Sequence, residues 1–502
     1  MKKYNSMFVC SLAAAAISLF SAMIVFSLAS RVPVFIDEEI SNTIFTGGKN
    51  SLFIKFSIIA LPVLFFIFSF FSFICYKKAR KEKGLCTKLE ASRKNFSPIH
   101  IFIICSALIT IFSLIYVCVH RNSIWDYHFH NFGTDAYMDF FNHITYARYP
   151  SETYAQTEHA CFPALAYVFY YVFSLILPSN STVKFDASMT SPYATLTYVM
   201  YSTVLCMVLL YLVKKLLNYN GRTVACVIGL VLLSNFFLTT IERGNSVLIV
   251  LILLLGALVL RNSEKSWHRE LALILIAVAA GFKIYPAIFG LLYLLEKRYK
   301  EAVRLIVYGI VFFVVPFAFF GGIDGFMQFL QNQVTVQESD YATLQSIKAA
   351  VHYFALEFTD DANAFNVLAD ILPILFVAVN MLAFVNKKTV LWEKLYLLCA
   401  IMVFFPSWSG SYTPIYFVIP MLLFFNEYKN ISPAKSEKLY YYVIAVGFAV
   451  AFSMIVFVSS TGELWGNIAY VSLYLINTVI VVRSTYLFIA SKVKTAPHLE
   501  AL

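Results

Sequence analysis

The chain has 502 residues, 60% of them hydrophobic and only 13% charged, with a mean hydropathy of +0.74 and a formal net charge of +10. Soluble domains carry about 25% charged and 45–50% apolar residues, so a soluble globular protein and an intrinsically disordered chain are both excluded. The 49 Phe and 32 Tyr fit a polytopic bilayer protein with broad aromatic belts.

A bilayer core needs roughly 20 apolar residues as helix. In chain order, long candidates fall at 8–30, 52–76, 99–119, 196–216, 223–241, 304–320, 366–385, 439–459 and 466–490. Shorter ones fall at 246–261, 270–282, 286–295, 395–406 and 413–426, several of them too short to cross without tilting or breaking. The first run follows Lys2 and Lys3 but is longer than a secretory signal core and lacks a clear small-residue cleavage site, so it reads as a span. The pattern predicts an all-α polytopic membrane protein of about 12–14 transmembrane helices. The basic run Lys77–Lys94 divides it into an N-terminal pair of spans with a cytoplasmic loop (1–98), a core (99–490) and a cytoplasmic tail (491–502).

Most of the 38 Lys and Arg fall on one side when the N-terminus is placed inside and the spans alternate. They include Lys2/Lys3, Lys77–Lys94, Lys214/Lys215, Arg261, Lys297–Arg304, Lys387/Lys388, Lys429 and Lys492/Lys494. Acidic residues run the other way. The positive charge is therefore a topology signal, and nucleic acid is not needed to explain it. Both termini are read as cytoplasmic, in a plasma membrane, with large outer segments at 120–195 and 321–365. An apolar stretch at 163–177 within the first is read as lying on or dipping into the membrane. The nine cysteines are scattered, without CxxC or Cys/His metal spacing, so neither a disulfide framework nor a metal site is read.

Polar groups near the membrane mark function, and four segments stand out, all on the outer face. In Gly133–His143, Asp135 and Asp139 are spaced i,i+4, which on a helix places both carboxylates on one face. Either is a candidate general base, and five of the nine His lie in this outer loop, His143 among them. Tyr149–Leu165 combines aromatics and prolines ahead of an apolar helix. Glu242-Arg243-Gly244-Asn245 places a guanidinium, suited to an anionic ligand such as phosphate, between two apolar spans. Gly281–Pro286 buries Lys283 in an apolar stretch, where a lone lysine is costly, beside a helix-breaking Pro286. Arg243 and Lys283 together give two cations for a lipid-linked phosphate.

In order, these pieces are an Asp after an early span, Tyr and Pro before an apolar helix, Arg-Gly-Asn, Lys-x-Tyr-Pro ahead of a basic loop, and a late Ser-Trp segment. The set resembles the GT-C membrane glycosyltransferases, specifically the polyprenol-phosphate-mannose-dependent mannosyltransferases of glycosyltransferase family 87 (the DUF2029 group), over roughly 99–430. Phe282-Lys283-Ile284-Tyr285-Pro286 followed by Glu296-Lys297-Arg298 is its most specific part. The resemblance implies a GT-C-like bundle with an exoplasmic catalytic face. It also implies inverting transfer of a mannosyl or other hexosyl unit from a polyprenyl-phosphate sugar to a lipid or glycan acceptor. Asp139 or Asp135 would be the base, and Arg243 and Lys283 would hold the donor phosphate. Asn245, Tyr285, His143, Trp408 and Tyr412 would contact substrate, with no cofactor or metal and with membrane lipids around. The chain departs from the family at Pro406–Tyr412, which has no following His, and at Phe162-Pro163-Ala164, where the family usually has Tyr-Pro-Pro. A nucleotide-sugar donor is disfavoured because no Gly-rich phosphate loop lies on the cytoplasmic side. Competing readings are an O-antigen-type polymerase or ligase, disfavoured by few outer arginines, and a transporter or flippase, disfavoured by the absence of a half-repeat.

Overall fold

The protein is seen here in a computed structural model that describes residues 97–120, 137–155, 160–177, 192–337, 345–359, 361, 365–431, 435–454 and 464–494. The two N-terminal spans, Asp135 and residues 495–502 lie outside the described residues. The described residues are helical, with no strand among them.

Helix α1 (Pro98–His120) leads to a short α2 (Met138–Ala147) and an apolar α3 (Ala164–Ser174). At about 1.5 Å per residue, the 11 residues of α3 are too short to cross a bilayer core. Next come α4 (Pro192–Leu216), α5 (Gly221–Leu232), α6 (Asn235–Arg243), α7 (Val247–Leu260) and α8 (Ser266–Phe282). A 3-10 turn (Tyr285–Gly290) and α9 (Leu291–Leu295) precede α10 (Tyr299–Val314). The second predicted outer segment holds two helices, α11 (Gly322–Gln337) and α12 (Ile347–Thr359). The chain closes with α13 (Asn366–Val385), α14 (Leu391–Phe404), α15 (Val418–Asn430), α16 (Lys435–Ala451) and α17 (Leu464–Lys494).

Five helical stretches among the described residues are long and apolar enough to cross a membrane: Pro98–Ile115, Leu196–Leu216, Tyr299–Phe319, Asn366–Val385 and Ile468–Ser491. Their outward faces carry apolar side chains such as Phe112, Met207, Ile306, Ile310 and Leu382, as expected of lipid contact. The protein is an all-α integral membrane protein. The span expected at 223–241 is instead two helices, α5 and α6, bent by 57°. Ser234 is the reason: its hydroxyl donates to the Val231 carbonyl (2.6 Å) and accepts from the Phe237 amide, ending one helix and capping the next.

The core centres on α14, whose residues from Leu395 to Phe404 are all buried. Helix α8 packs between α7 and α10. Gly281 permits this close fit, since a Cβ there would sit 2.6 Å from Leu165 Cδ2 and 3.0 Å from the Phe312 carbonyl oxygen.

The α7–α8 hairpin gives the molecule two distinct ends. At the end holding Arg261, charges are paired. Arg261 joins Glu296, Arg298 joins Glu301, and Arg304 joins Glu270 at 3.0 Å. The Tyr293 ring underlies the Arg261 and Arg298 guanidiniums at 5.5 and 4.8 Å. Elsewhere α14, α16 and α17 meet where buried Glu393 takes Arg483 at 2.6 Å and the Tyr440 hydroxyl at 2.5 Å. The other end of the hairpin opens into a cavity.

Candidate active site

Two short polar stretches meet at the open end. Helix α6 stops at Gly244, whose left-handed backbone (φ 66°) turns the chain within one residue. A side chain at Gly244 is excluded twice over, by that φ and because its Cβ would lie 2.9 Å from Phe140 Cβ. Tyr137 starts α2 in the same left-handed region and donates its amide to the Glu242 carbonyl (2.6 Å). The Tyr198 hydroxyl donates to the Ile241 carbonyl. These contacts clamp the first turn of α2 onto the Arg243–Asn245 turn.

The clamp fixes Asp139. Arg243 Nη2 donates to Asp139 Oδ1 at 2.8 Å, and Asn245 Nδ2 donates to Oδ2 at 2.6 Å. Asn245 is itself held, its Oδ1 accepting from the Val247 amide (3.1 Å) at the start of α7. Burial opposes ionisation of the Asp139 carboxyl. The Arg243 charge and the hydrogen bonds from Asn245 and Arg243 outweigh it and hold its pKa below the ordinary 3.8. Asp139 is therefore an oriented, ionised carboxylate, its side chain 16% exposed.

Lys283 lies across from it. Helix α8 ends at Phe282, Lys283 is extended (φ −147°, ψ 137°), and the turn carrying Pro286 follows. This break aims the lysine inward. Its ammonium stands 3.8 Å from the centre of the Phe162 ring and, among the described residues, has no carboxylate within ion-pair distance. At 8% exposed it is a buried cation held by a cation–π contact alone, close enough to Asp139 for their charges to interact.

Both charges line one cavity of about 870 Å³. His143, Arg243, Asn245, Tyr285, Trp408 and Tyr412 line it too, so each described residue expected to act in catalysis or substrate contact reaches the same space. The Trp408 loop is positioned by α12 and the residues before it: Ser346 donates to the Ser407 carbonyl (3.0 Å) and the Gln345 amide to the Ser409 carbonyl (2.8 Å). Arg243 differs from the expectation for a phosphate ligand, since its guanidinium is engaged with Asp139. Sequence reasoning missed Asn142 and Tyr146, which follow Asp139 by three and seven residues on the same helix and were legible from helical spacing. It also missed Gln333, which holds the Cys161 carbonyl from α11 with no local signal. Cys161 also lines the cavity, but burial pushes its thiol up to about 11, which removes it as a nucleophile near neutrality. No described group of three or more His, Cys, Asp or Glu could hold a metal ion.

An apolar helical shell around one carboxylate, one buried cation and an aromatic rim makes up the candidate active site. Residues 163–406, nearly half of the chain, match the model of glycosyltransferase family 87. That stretch is similar to glycosyltransferase family 87, which supports the GT-C resemblance seen in the sequence. No curated protein and no solved structure matches the chain.

Proposed function

We propose that the protein transfers a hexosyl unit, with inversion, from a polyprenyl-phosphate sugar to a hydroxyl of a lipid or glycan acceptor on the exoplasmic face. The observation that carries this is Lys283, a buried ammonium with no ion-paired carboxylate among the described residues, in the same cavity as an ionised, oriented Asp139. A buried cation without a counter-ion is costly, and an anionic donor phosphate supplies the missing charge.

In this scheme the acceptor hydroxyl lies against Asp139. Its oxygen forms the bond to the anomeric carbon while the bond from that carbon to the phosphate oxygen breaks. The hydroxyl proton passes to Asp139, and the electron pair leaves on polyprenyl phosphate, stabilised by Lys283. A carboxylate held below its ordinary pKa is a weak base, which suits a late transfer: the hydroxyl becomes acidic only as its oxygen bonds to carbon. Arg243 keeps Asp139 ionised and aimed, and adds positive potential toward the phosphate. The exoplasmic assignment draws support from the paired basic clusters gathered at the opposite end of the helices.

The test supplies purified protein in nanodiscs with radiolabelled polyprenyl-phosphate mannose, polyprenyl-phosphate glucose in parallel, and membrane lipid extract as acceptor. The scheme requires release of polyprenyl phosphate with label in a new product, abolished in Asp139→Asn. Wild-type protein that binds neither donor overturns it.

A further inference from the structure

One buried polar side chain in the cavity has no part in that scheme. His143 is 7% exposed, and neither ring nitrogen has a hydrogen-bond partner among the described residues. Buried polar atoms left unmet are rare and costly, and this one cannot swing away to find a partner. Its ring is gripped by Phe162 at 4.1 Å, Tyr170 at 5.1 Å and Tyr167 at 5.7 Å between centres. The protein therefore spends packing to hold an unsatisfied imidazole at the cavity wall.

Its position says what it faces. His143 follows Asp139 by one helical turn, so the two side chains share a face of α2. The Phe162 ring lies against His143 and also carries the Lys283 ammonium. His143 is thus placed along the path from the carboxylate to the cation. In a displacement reaction that path is occupied by the sugar ring being transferred.

Its chemistry narrows the ligand. Burial lowers the His143 pKa to about 3, and Lys283 and Arg243 push the same way against Asp139. The imidazole is neutral at physiological pH, with one nitrogen donating and one accepting. A phosphate would favour the charged form. A sugar hydroxyl, itself both donor and acceptor, matches the neutral one.

We propose that His143 hydrogen-bonds a hydroxyl of the transferred sugar and thereby sets which sugar the enzyme accepts. The inference rests on the lipid-phosphate sugar reading above. It is tested with polyprenyl-phosphate mannose, polyprenyl-phosphate glucose and the monodeoxy analogues of each, comparing wild type with His143→Phe and His143→Gln. His143→Phe keeps a ring in the aromatic grip and removes both nitrogens, while His143→Gln restores an amide donor and acceptor. Donor binding is measured apart from kcat and KM.

Wild type should disfavour one deoxy analogue by about 10–100-fold in kcat/KM, because removing that hydroxyl leaves a buried imidazole nitrogen unmet. In His143→Phe the intact donor falls by a similar factor, the same analogue is unchanged, and penalties at other positions persist. His143→Gln regains part of the discrimination and carries the comparison if His143→Phe does not fold. An unchanged pattern of penalties in a folded variant that still binds donor overturns the His143 assignment alone. Wild type that binds none of these donors overturns the donor reading, and this inference with it.

Discussion

The α7–α8 hairpin carries charge at both of its ends, and the two ends treat it differently. Around Arg261, each cation of the Arg/Glu cluster has a carboxylate, and Tyr293 closes the gap between two guanidiniums. Around Lys283, an ammonium is buried beside a cavity of about 870 Å³, against the Phe162 ring and with no carboxylate at ion-pair distance among the described residues. Burial of ions is expensive in both places. One end offsets the cost internally, as a structural element does. The other leaves much of it standing, which is what the proposed anionic donor would offset.

The contrast breaks if charge removal has the same effect at both ends. The largest effect is expected of Asp139→Asn, which should lower transfer per folded molecule by about 10²–10⁴-fold; transfer within tenfold of wild type would remove Asp139 from the chemistry. Among the internally paired charges outside the cavity, Glu393→Ala strands Arg483 and should cost about 3–5 kcal/mol in denaturation, with turnover per folded molecule unchanged. Lys283→Met should behave in the opposite sense. Transfer falls by about 10²–10³-fold while Tm rises by about 2 °C or more, because an unpaired charge is replaced by an apolar chain. A fall in Tm would mean that Lys283 is structural. Gly244→Ala should cost about 1–3 kcal/mol and weaken transfer, since strain at that turn displaces the partners of Asp139.

The smallest effect sharpens the comparison through pH. With its pKa held below 3.8, Asp139 stays ionised on the alkaline side of that value, and activity is lost only as pH falls through the depressed pKa. Removing the positive charge in Arg243→Gln leaves burial to dominate. The acid limb of the rate profile should then move up past 3.8; a limb that does not move would show that Arg243 does not tune the carboxylate.

Much of this was legible in the sequence, for specific reasons. The lengths of the apolar runs gave the all-α membrane class, and Pro286 and Gly244 marked the breaks where polar side chains turn inward. The pairing of Arg243 with Asp139 was not legible, because it joins residues 104 apart through a turn that depends on φ at Gly244 and Tyr137. The two cations therefore looked equivalent in sequence and differ in the structure. The bend at Ser234 escaped because hydropathy averages over a single hydroxyl that caps a helix. Gln333 escaped because its partner lies 172 residues away.

Helix α7 has only 14 residues, a rise of about 21 Å, against a hydrocarbon thickness of about 30 Å. None of those residues is exposed, so the flanks of α7 meet the longer helices α4 and α8 and not lipid. A short helix walled in by longer ones stops below the rim of the bundle, and Asn245, just ahead of its first residue, lines the cavity there.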